Sequence, residues 1–260
     1  MDWFYTLSGF LVGLIVGITG VGGGSLMTPL LVLLFGVAPA TAVGTDLLYA
    51  ALTKMGGSWV HNKRGTVDWA IVQRLALGSL PAALLSLWAL HALQLDEQHL
   101  KAVITGVLSV ALVLTALSLL FKPYVQKFGR RKDGAVFELH AHHVAGATVF
   151  TGVVLGVLVT LSSVGAGALG MVVLLFLYPR HSTAKLVGTD IAHAVPLTLV
   201  AGLGHVVLGT VNFGLLGALL LGSLPGIWLG SHLSGRIPER VLRPVLAAML
   251  MLIGGRLIFA

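Results

Sequence analysis

Apolar and polar positions divide the chain into ten apolar runs with short polar breaks: roughly 5–20, 25–36, 40–60, 68–91 and 99–121, then 143–162, 168–178, 184–208, 212–235 and 241–259. A helix needs about 20 apolar residues to cross a bilayer. Three runs in each half approach that length, while the first pair in each half is too short for two ordinary spans. The expectation is therefore an all-α polytopic membrane protein of two five-segment halves, in which the first two segments of each half are short and re-entrant or broken.

The halves repeat. Gly44–Pro81 and Gly188–Pro225 align at a constant offset of 144. They share Gly-Thr-Asp (44–46 and 188–190), His61 with His205, Gly-Thr-Val (65–67 and 209–211) and Leu-Gly-Ser-Leu-Pro (77–81 and 221–225). Ahead of each copy a knot of small residues interrupts an apolar run, at Thr19–Ser25 and Ser162–Ala168, with an offset of 143. Repeats of this length, with polar residues inside apolar segments, are typical of transporters built from two related halves. The repeats are expected over 1–121 and 142–260, with a polar cytoplasmic linker at 122–141.

Composition supports a membrane setting and removes several chemistries. A chain of 260 residues that is 57% hydrophobic and 10% charged, with mean hydropathy +0.98, cannot hide its apolar surface in a water-soluble fold. There is no cysteine, which excludes disulfides, thiolate metal sites, iron–sulfur clusters and cysteine nucleophiles. No Gly-x-x-x-x-Gly-Lys loop is present, so nothing points to ATP hydrolysis. The basic isoelectric point does not indicate nucleic acid, because the bases are confined to short loops, where they report orientation. The first residues, Met-Asp-Trp, lack the basic region of a cleavable signal, so the first segment is expected to be retained.

Charge sets an inverted topology. Lys63 and Arg64 follow the third segment, and Lys122, Lys127, Arg130, Arg131 and Lys132 follow the fifth, which places both loops in the cytoplasm. Arg180 with Lys185, and Arg236 with Arg240 and Arg243, mark two cytoplasmic loops in the second half, whereas the turn at 209–212 carries no charge. Equivalent loops thus lie on opposite sides. Both termini and the 92–98 loop are expected outside.

The knots are the first candidates for chemistry. A short helix starting at Ser25 or Ala168 would aim unpaired N–H groups and a positive dipole end at mid-membrane, and Gly22, Gly23 and Gly24 would let an oxyanion approach the backbone. Ser163, Gly165 and Gly167 are the second-half candidates, with Thr45 and Thr189 beside them. The competing account is close helix packing, to which Gly9, Gly13 and Gly17 are assigned, so that Gly13→Ala is expected to affect anion binding much less than Val at Gly23 or Gly167. Asp46 and Asp190 lie inside or nearly inside the membrane, where charge is expensive and usually functional. His193 follows Asp190 on the same helical face, with Tyr49 in its place in the first half. The alternative for each Asp is a helix cap after Gly-Thr.

Lys54 would neutralise a bound anion or, as the favoured account has it, snorkel to the surface. His61 and His205 fall near opposite membrane surfaces as gate or interfacial residues. The string His140, His142, His143 reads as a solvated linker end, so no metal and no cofactor are expected. Pro29, Pro81, Pro196 and Pro225 should kink or begin helices.

Taken together, Gly13, Gly17, Gly22–Gly24, Pro29, Ala-Val-Gly-Thr-Asp at 42–46, Gly-Thr-Val-Asp-Trp at 65–69 and Gly-Thr-Asp-Ile-Ala-His-Ala at 188–194 resemble the TauE/SafE sulfite-exporter family, also called the toluene-sulfonate uptake permease family, over nearly the whole chain. The resemblance implies two inverted five-helix repeats and transport of sulfite, thiosulfate or organosulfonates across a prokaryotic inner membrane, commonly outward. Many relatives carry Ser where Asp46 stands, so an acidic role there would belong to a subgroup. The expected partners are a small sulfur oxyanion and the lipid bilayer, with no nucleic acid and with room for a homodimer. Carriage of another anion or of a cation is the alternative. An intramembrane aspartyl protease using Asp46 and Asp190 is a remote one, because Gly-Thr-Asp is not the Gly-x-Gly-Asp such enzymes use.

Overall fold

Ten α-helices make up the computed structural model, which describes residues 3–19, 24–93, 96–130, 141–233 and 239–258; no strand occurs among them. They are α1 (Trp3–Thr19), α2 (Gly24–Phe35), α3 (Pro39–Lys63), α4 (Trp69–Ala92), α5 (Glu97–Arg130), α6 (Ala141–Ser162), α7 (Ala168–Leu177), α8 (Thr183–Val207), α9 (Phe213–Leu233) and α10 (Glu239–Ile258). Five of them, α4, α5, α6, α8 and α9, hold stretches long and apolar enough to cross a membrane. Helix α3 has the length, but Asp46, Lys54 and His61 dilute its hydropathy, and its first half is buried inside the bundle. This is a multi-pass membrane protein.

Two expectations change in detail. Helix α6 runs 22 residues and contains a span-length stretch at 143–162, so the markedly short members of the leading pairs are α2 and α7, at 12 and 10 residues. Helix α5 continues to Arg130, beyond the expected end of its apolar run and into the expected linker; residues 131–140, including His140, lie outside the described residues. Pro29, Pro81, Pro196 and Pro225 all sit inside helices rather than at their starts.

Contacts between the halves are reciprocal. A Cβ on Gly78 of α4 would strike Val149 and Val153 of α6, and one on Gly222 of α9 would strike Thr6 and Phe10 of α1. Gly156 faces Ser79, and Gly13 faces Ser223. In each pair the second contact is the first shifted by the two repeat offsets. The first helix of each half therefore lies against the fourth helix of the other, backbone to backbone. Without a hydrophobic drive between helices in lipid, such close approach supplies the van der Waals contact that holds them. Packing is what Gly9 and Gly13 do: a Cβ on Gly13 would lie 2.5 Å from the Ser223 carbonyl oxygen, which cannot swing aside.

Helices α3 and α8 cross antiparallel in the centre. Gly44 packs on His205 and Thr210, and Gly188 packs on His61 and Thr66. Each helix thus begins where the other ends. The 61–68 turn meets the start of α8 with Lys185, and Ala40, His91, Leu100, His205 and Thr210 line one cavity of about 280 Å3 at the opposite end. The 61–68 turn and the start of α8, both assigned from charge to one side, therefore meet, and the uncharged 209–212 turn meets the residues that flank the 92–98 loop at the other end. The outer face carries exposed Leu, Phe and Val, with Trp59, Trp69, Trp88 and Trp228 among the exposed aromatics, as lipid contact and interfacial anchoring require.

Candidate substrate and coupling site

Between α6 and α7 the helix unwinds over residues 163–167. Ser163 takes a left-handed φ of 58°, and Gly165 and Gly167 have φ of 122° and 132°. The glycines reach those angles at little cost, whereas Ser163 does not. Helical bonding resumes with Gly170 N–H to Gly165 O and Met171 N–H to Gly167 O, both at 3.2 Å. Among the described residues, the N–H groups of Gly165, Ala166, Gly167, Ala168 and Leu169 find no acceptor. Gly167, the N-cap, supplies no side-chain bond. The break leaves donors and carbonyls unbonded at membrane depth, which proteins tolerate where such backbone is buried in protein or lines a cavity.

Two buried carboxylates lie beside the break and the start of α7. Asp46 is fully buried in α3, takes a hydrogen bond from Thr28 Oγ1 at 2.6 Å, and leaves Oδ1 without a partner. Ser163 Oγ faces this carboxylate outside hydrogen-bond geometry. Asp190, also buried, lies against Gly170 of α7, where any Cβ would collide with its Oδ1. Gly170 makes the space that this carboxylate fills. Its Oδ1 is likewise unpartnered. Three residues on, His193 Nε2 bonds Ser79 Oγ at 2.8 Å while Nδ1 has no partner. The first half places Tyr49 opposite Ser223 in the equivalent arrangement.

Neither Asp caps a helix; both lie within their helices, past the first turn. The caps are elsewhere: Asp68 takes the N–H of Ile71 at 3.4 Å, Asn212 that of Leu215 at 2.9 Å, and Ser182 that of Lys185 at 3.2 Å. Asp46 and Asp190 share no hydrogen bond, so they do not form the proton-sharing pair a protease would need. Lys54 is a correction. Instead of snorkelling, its Nζ donates to the Ala166 carbonyl at 3.0 Å, because the unwound segment offers a free acceptor within the bundle.

Other candidates are engaged at the ends of α3 and α8. Thr189 Oγ1 accepts the N–H of Asp68 at 2.9 Å, and Thr45 Oγ1 that of Asn212 at 3.1 Å. His61 Nδ1 meets Thr66 Oγ1 and His205 Nδ1 meets Thr210 Oγ1, each at 2.8 Å. His205 is buried and its Nε2 also reaches the Thr160 carbonyl at 2.9 Å, tying α8 to the end of α6 just before it unwinds. Gly22 and Gly23 lie outside the described residues; Gly24 opens α2, and Ser25 is buried there.

Sequence reasoning missed Thr28, whose counterpart at the 143 offset is Met171, so the repeat gave no signal for it. Ser79 and Ser223 could have been found, since both stand in the repeated Leu-Gly-Ser-Leu-Pro. A cluster at the other end was also missed: the Asp68 carboxylate contacts Lys185 Nζ at 2.9 Å and His181 Nε2 at 3.3 Å. Partial burial alone would raise Asp68, but its bonds to Lys185, Ile71 N–H and His181 and the Lys185 charge hold this carboxyl below its ordinary range.

The profile of the TauE/SafE sulfite exporters matches residues 5–257. The chain belongs to that family. Within reach of this TauE/SafE chain are the Bacillus subtilis (strain 168) proteins described as probable membrane transporter proteins YjnA and YdhB. The first is 38% identical and covers 97% of this chain and 98% of its own length; the second is 28% identical and covers 94% and 97%. No solved structure matches. Membership makes the protein a membrane transporter rather than an enzyme.

Proposed function

We propose that this protein carries sulfite or a small organosulfonate outward across the inner membrane, with both termini outside, and that the oxyanion binds at the unwound segment. The observation that carries this reading is the row of five acceptorless N–H groups from Gly165 to Leu169, beside the unpartnered hydroxyl of Ser163. Such a nest suits an anion and needs little help from side chains. The first knot, Gly22–Ser25, is its counterpart by repeat. His61 and His205, each closing a turn where α3 and α8 meet, would gate the two ends.

An inside-negative potential of about 100 mV favours outward movement by about 2.3 kcal/mol per negative charge, so export needs no coupled cation. The unpartnered carboxylates of Asp46 and Asp190, with His193 beside the latter, support a second reading: proton- or cation-coupled uptake of the same class of anion. Flux of radiolabelled sulfite, and of sulfoacetate, in proteoliposomes with and without a pH gradient separates them. Potential-driven flux unaffected by the gradient supports export. Flux that requires the gradient supports coupled uptake, and no flux of either anion rejects both.

A further inference from the structure

Helices α3 and α8 pack with Leu48 on Gly202 and Gly57 on Ile191, so the point where each residue faces its own repeat counterpart falls near Leu52–Thr53 and Pro196–Leu197. Lys54 stands beside that point. Its counterpart, Thr198, turns its hydroxyl back onto the Ala194 carbonyl of its own helix at 2.8 Å. A nearly symmetric scaffold therefore carries one cation at its centre, on one side only.

That cation is poorly matched. Lys54 Nζ bonds the neutral carbonyl of Ala166, inside the unwound segment, and lies within electrostatic range of both Asp46 and Asp190 without an ion pair to either. Each of those carboxylates keeps one oxygen unpartnered. A half-buried ammonium held by a single carbonyl, with two carboxylates near but not touching, lacks the close pairing that usually compensates the desolvation of a charge. The acceptorless N–H groups of residues 165–169 flank the same carbonyl.

We propose that Lys54 is the counter-ion of the transported anion: an oxyanion seated on those N–H groups takes the Lys54 ammonium from the Ala166 carbonyl. The proposal rests on the oxyanion site proposed above and supplies its charge. Asp46 and Asp190 then compete with the anion for Lys54. Charge removal at the lysine and at the carboxylates must act in opposite directions, which a merely structural lysine would not produce.

Calorimetric titration of detergent-purified protein with sodium sulfite, and with sulfoacetate, tests this. Lys54→Gln is expected to weaken binding roughly tenfold or more, Lys54→Arg to retain most of it, and Asp46→Asn and Asp190→Asn to tighten it. Wild-type affinity in a monodisperse Lys54→Gln protein overturns the proposal while leaving the oxyanion site intact. If Lys54→Gln does not fold, the Asn variants decide, and weaker binding in both overturns it. Failure of the wild type to bind either anion removes the oxyanion site and this inference with it.

Discussion

Asp68 and Thr189 meet across the crossing of the two halves: the Asp68 N–H donates to Thr189 Oγ1 at 2.9 Å, while the Asp68 carboxylate holds Lys185, one turn earlier on the same helix. At the opposite end Asn212 donates to Thr45 and caps α9, but no charge is involved. Asn at position 68 should therefore keep the cap and lose only the ion pair. Asp68→Ala loses both and should cost about 1 kcal/mol more than Asp68→Asn. The comparison is read from thermal unfolding in detergent.

The same cluster gives a pH dependence with a definite sign. The Asp68 carboxyl in the folded protein lies below its ordinary range, so its contribution is complete above about pH 4 and is lost as pH falls through the folded value. Wild-type melting temperature should drop on acidification toward about pH 3, and Asp68→Asn should drop less. Equal acid sensitivity in both would show that Asp68 is not a source of the effect.

The glycine seams predict a contrast. Gly13→Ala and Gly156→Ala push a methyl onto the carbonyls of Ser223 and Ser79, and backbone cannot yield as a side chain would, so each should destabilise by about 1–3 kcal/mol. Gly106 of α5 has open space around its Cβ direction, so Gly106→Ala should be neutral or stabilising. Fluorescence-detected size exclusion after graded heating ranks the three. A Gly13→Ala protein as robust as Gly106→Ala would mean that α1 and α9 are not in backbone contact.

Much of the fold was legible in the chain because apolar runs and helices have the same cause: a segment in lipid must satisfy its own backbone. Nine of the ten runs end within about three residues of the helix ends, and α5 overruns because Lys122–Arg130 continues a helix past the apolar core. The repeat offset also relates contacts that the structure shows, Gly44 with His205 in one half and Gly188 with His61 in the other, although the offset alone does not say which residues touch. The site was harder to read. Asp46 and Asp190 are conspicuous as charges in apolar runs, but whether a carboxylate caps a helix or faces a cavity depends on which neighbour supplies a hydrogen. Thr28 does so for Asp46 from another helix, with no sequence signal. Lys54 was misplaced for the same reason: its acceptor at Ala166 is a backbone carbonyl, which no side-chain pattern reveals.

Topology can be tested without background, since the chain has no cysteine. Gln98 lies in the first turn of α5 and Ala184 in the first turn of α8; both are exposed and uncharged. They belong to the two opposite loop clusters. With the 92–98 loop outside, Gln98→Cys should react with a membrane-impermeant maleimide in intact cells, and Ala184→Cys only after permeabilisation. The reverse pattern would turn the protein over and place the Asp68–Lys185 cluster outside.

The unwound segment gives the most direct test of where an anion sits, because its two kinds of donor can be removed separately. Gly167 has φ of 132°, an angle that residues with a Cβ rarely adopt, so Gly167→Val must re-form the backbone and scatter the N–H groups of residues 165–169. Ser163→Gly does the opposite: glycine accepts φ of 58° freely, which preserves the backbone while deleting the unpartnered hydroxyl. If the backbone is the main anion ligand, Gly167→Val should abolish sulfite binding. Ser163→Gly should then weaken it only by the worth of one hydrogen bond to a charged group, about 1.5–3 kcal/mol. Calorimetry on folded proteins reads both. Undiminished affinity in Gly167→Val would move the anion away from the α6–α7 break, toward the first knot at Gly22–Ser25.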